Sequence, residues 1–289
     1  MSEARSIWNG QATLGEGPIW DPAREVLWFV DIKQHTVHQL DAEGGDARSW
    51  QAPAQVGWVI PAADGRLVAG LQTGLAVFDP RDGSFTPLAE VEADLPTNRL
   101  NDATVGADGA IWFGSMDDNE KDRTGRFYRW DGQQVTPLAI DPVRITNGPA
   151  LSPDGATLYC VDTVGSVIHA VSLDADGQVA ATRPFAVVDP KHGHPDGCSV
   201  DSAGNVWLGL WGGWRARLYS PAGEVLREVW LPASNVTKVA LGGPDLKTAF
   251  VTTARAGLSD AQLAEQPEAG NVFAFDVDIP GIAAAPAAI

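Results

Sequence analysis

The feature that most constrains this 289-residue chain is a pattern that recurs six times along it. A turn of small residues, often Asp-Gly, leads into a short apolar run with a large residue near its centre. With Trp28, Val68, Trp112, Tyr159, Trp207 and Phe250 as the central residues, the spacings are 40, 44, 47, 48 and 43 residues. A period of about 40–50 residues, with alternating runs inside each copy, marks a propeller. Each repeat is then one four-stranded sheet that can bury its faces only against its neighbours. The expected fold class is all-β: a six-bladed β-propeller.

The repeats carry a second regularity. Glu16 lies 12 residues before Trp28, Asn101 11 before Trp112, Asn147 12 before Tyr159 and Asp196 11 before Trp207. Equivalent positions in a radial array face one axis, so oxygen donors from four blades should converge there. Two carboxylates and two amides suit a hard or borderline divalent cation: calcium, magnesium, manganese, zinc or iron(II). Three or four protein ligands leave positions open for water or substrate. Asn and Asp before Gly are also ordinary turn formers, as at Asn147-Gly148 and Asp196-Gly197. The matched offset in four repeats is what favours the metal.

Charge removes two partner classes. With 20 Lys and Arg against 37 Asp and Glu, the net charge is −17. Such a field repels nucleic acid and anionic membrane, so neither is an expected partner. The 31 Gly and 20 Pro are spread along the chain, punctuating many short strands rather than forming a linker. Cys160 and Cys198 fall in different repeats and read as buried free thiols. Residues 1–11 have no apolar segment of the signal-peptide kind, and no long hydrophobic run follows. A cytoplasmic monomer is the expectation.

The repeats divide the chain into blades at roughly 16–54, 55–98, 99–143, 144–193, 194–234 and 235–278, within one domain spanning 1–289. Residues 3–14 lie before the first copy and can form a strand. That strand is expected to complete the last blade and close the ring, which removes free sheet edges. Residues 259–265 read as a short helix with Ser259 as its N-cap. The Ala- and Pro-rich tail, 280–289, is expected to be disordered.

Several short segments are similar to signature segments of one family. They are Leu14-Gly15-Glu16-Gly17-Pro18-Ile19-Trp20, Asn98-Arg99-Leu100-Asn101-Asp102-Ala103, Ile145-Thr146-Asn147-Gly148-Pro149 and Pro195-Asp196-Gly197. Ser152-Pro153-Asp154-Gly155, Asp245-Leu246-Lys247-Thr248 and Trp211-Gly212-Gly213 add to the match. The chain resembles the senescence-marker-protein/gluconolactonase/luciferin-regenerating family, six-bladed propellers that include regucalcin and bacterial sugar lactonases such as xylonolactonase. The likeness runs from about residue 14 to 277. It implies hydrolysis of a sugar lactone, a pentono- or gluconolactone, with one divalent ion: iron(II), zinc, manganese or calcium. It also implies metal ligation by Glu16, Asn147 and Asp196. Asn101 would touch the metal, its water or the substrate, and Arg99 would bind substrate. Leu100 stands where many bacterial members have proline, which alters loop stiffness rather than chemistry.

A metal beside a cyclic ester can polarise the carbonyl, and Asp196 is the expected general base for the attacking water. Arg99 suits sugar hydroxyls and a product carboxylate, with a salt bridge on the propeller face as its plain alternative. Asp102 is expected to brace the Asn101 turn. The segment His192-Gly193-His194 reads as a mouth loop. Asp117, Asp118, Asn119 and Glu120 read as a solvated turn near the mouth, and Trp211 and Trp214 as pocket walls or core. Asp31 and Asp162 read as strand-end polar groups, and His35, His38 and His169 as strand residues. Two other functions share this fold: a different ester or organophosphate hydrolase, and a non-enzymatic calcium-binding propeller.

Overall fold

The six apolar runs become the second strands of six sheets. In the structure, a computed structural model that describes residues 3–289, they are Val26–Asp31, Leu67–Leu71, Ile111–Asp117, Thr157–Asp162, Val206–Trp211 and Thr248–Ala254. Residues 1 and 2 of the expected domain span lie outside the described residues. Each sheet has four antiparallel strands, and five of them run in simple chain order. The sixth breaks that order as expected. Arg5–Trp8 pairs with Val272–Asp276 and becomes the outermost strand of the last blade, so the two ends of the ring share one sheet. The fold is a six-bladed β-propeller closed by its N-terminal strand.

Large side chains join the blades. Trp28, Val68, Trp112, Tyr159, Trp207 and Phe250 are all buried. Ring pairs cross most of the seams: Trp20 with Phe250, Trp28 with Phe78, Trp58 with Phe113, Phe185 with Tyr219 and Trp207 with Phe275, at centroid distances of 5.6, 6.3, 5.8, 6.0 and 5.4 Å. Between the third and fourth blades the same role falls to Trp112, Leu158, Cys160 and Val171. Burying each such side chain stabilises the ring by roughly 1.5–3 kcal/mol.

The inner strands are Gly15–Asp21, Val56–Pro61, Asn98–Val105, Thr146–Leu151, His194–Val200 and Asn235–Gly242. Every one carries an extra residue at the same level. Between Glu16 and Ile19, three steps on the inner strand oppose two on its partner, from Val30 to Trp28. The same shift lies between Leu100 and Ala103, Asn147 and Ala150, and Pro195 and Cys198. Val56 to Trp58 and Val236 to Lys238 carry it in the remaining blades. Such bulges bend a strand and re-aim its side chains. Gly17 and Gly148, just after Glu16 and Asn147, supply the positive φ the bend needs, at 55° and 64°.

The short helix is Asp260–Glu265, with Ser259 as N-cap and Gln262 completing a reciprocal capping box. Two expectations are corrected. His35 is not in a strand; it occupies a turn with φ 53°, between Val26–Asp31 and Thr36–Asp41. The tail after Pro280, expected to be disordered, is tied across the face of the ring opposite the donors. Gly281 N–H donates to Leu246, Ala287 N–H to Pro61 and Ala288 N–H to Gly109. Pro280 and Ala288 carbonyls accept from Ser202 N–H and the Trp130 indole. Small residues let the chain lie flat against the blade ends, where backbone groups left over from the turns become its partners.

Candidate metal and substrate site

The bulge level opens into a cavity of about 420 Å³ at one end of the channel. Glu16, Arg99, Asn101, Asn147 and Asp196 all line it, together with Lys33, Glu120, Thr163, His194 and Trp211. The five expected site residues are each 3–4% exposed. They arrive from four blades, and what gathers them is the shared position on the inner strand rather than any local motif.

The two amides are fixed end to end. Asn147 Nδ2 donates to Thr163 Oγ1 at 2.9 Å, and Asn147 Oδ1 accepts from Asn101 Nδ2 at 2.9 Å. Asn101 Nδ2 also donates to the Thr146 carbonyl at 2.6 Å, and its Oδ1 accepts from Arg99 Nη1 at 2.5 Å. Asn101 is thus satisfied by protein at both ends. Asn147 Oδ1 has a second lone pair to offer.

The carboxylates are in the opposite condition. Glu16 accepts from Gly17 N–H at 3.0 Å, and neither Glu16 nor Asp196 has an ion-pair partner among the described residues. Burial pushes the Glu16 carboxyl up to about 8; the nearby Asp102 charge adds to the rise, and Gly17 N–H, Lys238 and Arg99 oppose it. Burial pushes Asp196 well above the ordinary carboxylate range, helped by the charges of Glu16 and Asp102. Two buried acids, one raising the other's affinity for protons, form a site whose strain a divalent cation relieves.

Asp102 and Lys238 form the floor. Their ion pair is 2.5 Å long, and the two side chains are 0% and 7% exposed. Asp102 Oδ1 also accepts from Ala103 N–H, so it braces the strand beyond Asn101, while Oδ2 is buried without a partner. Beneath, Lys238 and Cys198 border a second cavity of about 360 Å³, walled by all six inner strands and by tail residues 282–285.

The donor chemistry fits a divalent ion. Two carboxylates and one oriented amide oxygen face one space, and all are hard oxygen ligands. Among the described residues no three His, Cys, Asp or Glu side chains gather as a metal cage, so the amide of Asn147 is needed to complete the set.

Around this set the sequence reading needs correction. Asp118 is no solvated turn. Its Oδ1 accepts from Arg99 Nε at 2.7 Å and Lys33 Nζ at 2.6 Å, and its Oδ2 accepts from Gln55 Nε2 at 2.9 Å. Arg99 therefore makes the salt bridge that was its plain alternative, while still lining the cavity. Lys33, Gln55, Thr163 and Lys238 were not singled out. Lys33, Asp118 and Thr163 each follow the end of a second strand by one or two residues, a shared offset that could have found them. Trp211 and His194 line the cavity; Trp214 does not, and stands partly exposed in a turn. Cys160 and Cys198 are free and buried, and Asp31 caps strand ends by accepting from Thr13, Leu14 and Gln34 N–H.

Comparison with known proteins agrees with this fold. Over 287 residues the chain is 38% identical to the L-arabinolactonase of Azospirillum brasilense, covering 98% of this chain and 95% of that protein. It is 34% identical to the 6-deoxy-6-sulfogluconolactonase of Pseudomonas putida, covering 94% of each. The crystal structure of a calcium-binding protein, regucalcin from Agrobacterium tumefaciens, superposes with a TM-score of 0.94 at 29% identity, covering 100% of both chains. The family model described as SMP-30/gluconolactonase/LRE-like region matches residues 14–255, a span that holds every donor of the cavity. With six blades, four aligned donors and that match in agreement, the chain belongs to the SMP-30/gluconolactonase/LRE-like family.

Proposed function

We propose that the chain hydrolyses a sugar lactone, a pentono-1,4-lactone or glucono-1,5-lactone, with one divalent cation held by Glu16, Asn147 and Asp196. The observation that carries this reading is one cavity in which two unpaired buried carboxylates and an oriented amide face a buried arginine. The names of the two lactonase relatives support it. A cytoplasmic monomer fits the acidic surface and the two reduced cysteines.

The cation supplies Lewis-acid polarisation of the ester carbonyl. The chain's own residues do the rest. Arg99 Nη2, the guanidinium nitrogen without a protein partner among the described residues, donates to a sugar oxygen and orients the ring. An Asp196 oxygen takes a proton from the attacking water as its oxygen bonds to the carbonyl carbon. The carbon to ring-oxygen bond then breaks, and the proton held on Asp196 passes to that departing oxygen, so one water is consumed per aldonic acid. Excess negative charge on the protein disfavours retention of the anionic product.

The name of the regucalcin neighbour supports a second reading, a calcium-binding propeller without turnover. Acid release separates the two. Metal-stripped protein is given D-xylono-, L-arabinono- or D-gluconolactone, with iron(II), manganese, zinc or calcium restored one at a time. The proposal predicts fast acid production with at least one pair. Asp196→Asn should keep the fold and lose about two to four orders of magnitude in kcat. Folded protein that accelerates no lactone with any metal contradicts the enzyme reading.

A further inference from the structure

Seven groups form one hydrogen-bonded line across the top of the channel. It runs from Thr163 through Asn147, Asn101 and Arg99 to Asp118, and ends on Lys33 and Gln55. Donation runs outward from Arg99 on both sides. Asn101 and Asn147 turn their oxygens toward Arg99, and Arg99 Nε, Lys33 and Gln55 Nε2 all donate to Asp118. The Asp118 carboxylate is the only anion in the line, and both cations meet it on the same oxygen, Oδ1. Lys33 Nζ reaches Gln55 Oε1 as well, at 3.1 Å, so its ammonium is held at the cavity edge rather than swinging in solvent.

This arrangement solves a specific problem. A buried guanidinium needs an anion, and the buried carboxylates Glu16 and Asp196 line the same cavity. An Arg99 that folded onto them would occupy the cation's ligands and leave the substrate without its donor. Asp118 stands outside the donor set and pulls Arg99 the other way; Nε is spent on Asp118 and Nη1 on Asn101 and the Leu100 carbonyl, which leaves Nη2 for the cavity. Burial works to raise the Asp118 carboxyl, but Lys33, Gln55 and Arg99 together hold it down to about 2, so the anchor stays charged. The Asp118 backbone is itself pinned, its N–H donating to the Thr97 carbonyl at 2.9 Å.

We propose that Asp118 is a positioning residue for lactone binding: it holds Arg99 away from the metal ligands and, with Gln55, presents Lys33 as a second cationic donor to substrate oxygens. The assignment rests on the lactonase reading for its substrate, but not for its geometry. Neither Asp118 nor Lys33 hydrogen-bonds or ion-pairs with Glu16, Asn147 or Asp196 among the described residues, so their loss should move substrate binding and spare the cation.

The test uses Asp118→Asn, which keeps size and removes charge, Asp118→Glu as the conservative rescue, and Lys33→Met. With D-xylono- or L-arabinono-lactone and the best restoring metal, Asp118→Asn should raise KM by about tenfold or more, with kcat within about threefold. Lys33→Met should raise KM by a smaller factor. Asp118→Glu should recover most of the loss. Metal affinity should stay within about twofold of wild type in all three. A crystal structure of Asp118→Asn should show the Arg99 guanidinium displaced from the wild-type position. An unchanged KM with Arg99 in place overturns the proposal, as does a joint fall of kcat and metal affinity. Should wild-type protein open no lactone at all, the lactonase reading fails, and the Arg99 position in Asp118→Asn still decides the positioning role.

Discussion

Single residues carry two kinds of stress in this propeller, and His38 shows the milder one. Its ring stacks on Phe29 at 4.8 Å and meets Trp8 at 5.0 Å, and its Nδ1 lies 2.8 Å from Ser49 Oγ. Trp8 belongs to the strand that closes the ring, and Phe29 to the first blade, so His38 sits on the closing seam. Burial pushes its pKa from the ordinary 6.5 down to about 4, against a weaker pull from Asp31. The unfolded chain therefore binds a proton that the folded chain refuses between those values. The resulting stability is complete above pH 6.5 and is lost as pH falls through 4. Melting temperature should drop across that window in wild type and drop less in His38→Gln. Parallel curves would show that the seam is indifferent to this proton. The sharper stress is at Glu16 and Asp196. Their alignment was legible because a repeat makes position a proxy for direction. Asp118 was misread, because an Asp in a polar loop has the same local signature whether it faces water or an arginine; only its offset from the strand end, shared with Lys33 and Thr163, marks it.

At the scale of elements, the inner strands do the functional work and the outer ones the closing. Hydrophobic alternation revealed the strands, and Asp-Gly turns gave their ends. The one-residue bulge in all six inner strands was invisible, since an inserted residue leaves no mark on a short apolar run. The bulge is what points Glu16, Asn101, Asn147 and Asp196 into the channel. The tail was misjudged for a related reason. Its composition says little about structure, and its order comes from backbone partners on distant blades. It runs from Leu246 and Ser202 to Pro61 and Gly109, bracing the last blades against the second and third. Deleting residues 280–289 should destabilise the ring by on the order of 2 kcal/mol. The five hydrogen bonds are worth about 0.5–1.5 kcal/mol each, less the chain entropy released. A melting temperature several degrees lower would confirm the brace. An unchanged one would show that the tail rests on the ring without supporting it.

At the scale of the whole molecule, charge is arranged at two levels of the channel. Glu16 and Asp196 share the upper cavity with the cations Arg99 and Lys33, and the Asp102–Lys238 pair borders the second cavity below. The floor pair keeps Asp102 from adding its full negative charge to the donor set, and Asp118 holds Arg99 and Lys33. What remains between them is a volume rich in oxygen donors and short of positive charge. The central claim is that this volume holds one divalent cation. Titration calorimetry of metal-stripped protein with manganese(II) tests it most directly. One site per chain is expected in wild type, with affinity at least about tenfold weaker in Glu16→Gln and unchanged in Asp118→Asn. Full affinity in Glu16→Gln, or no binding by the folded wild-type protein, would contradict the account.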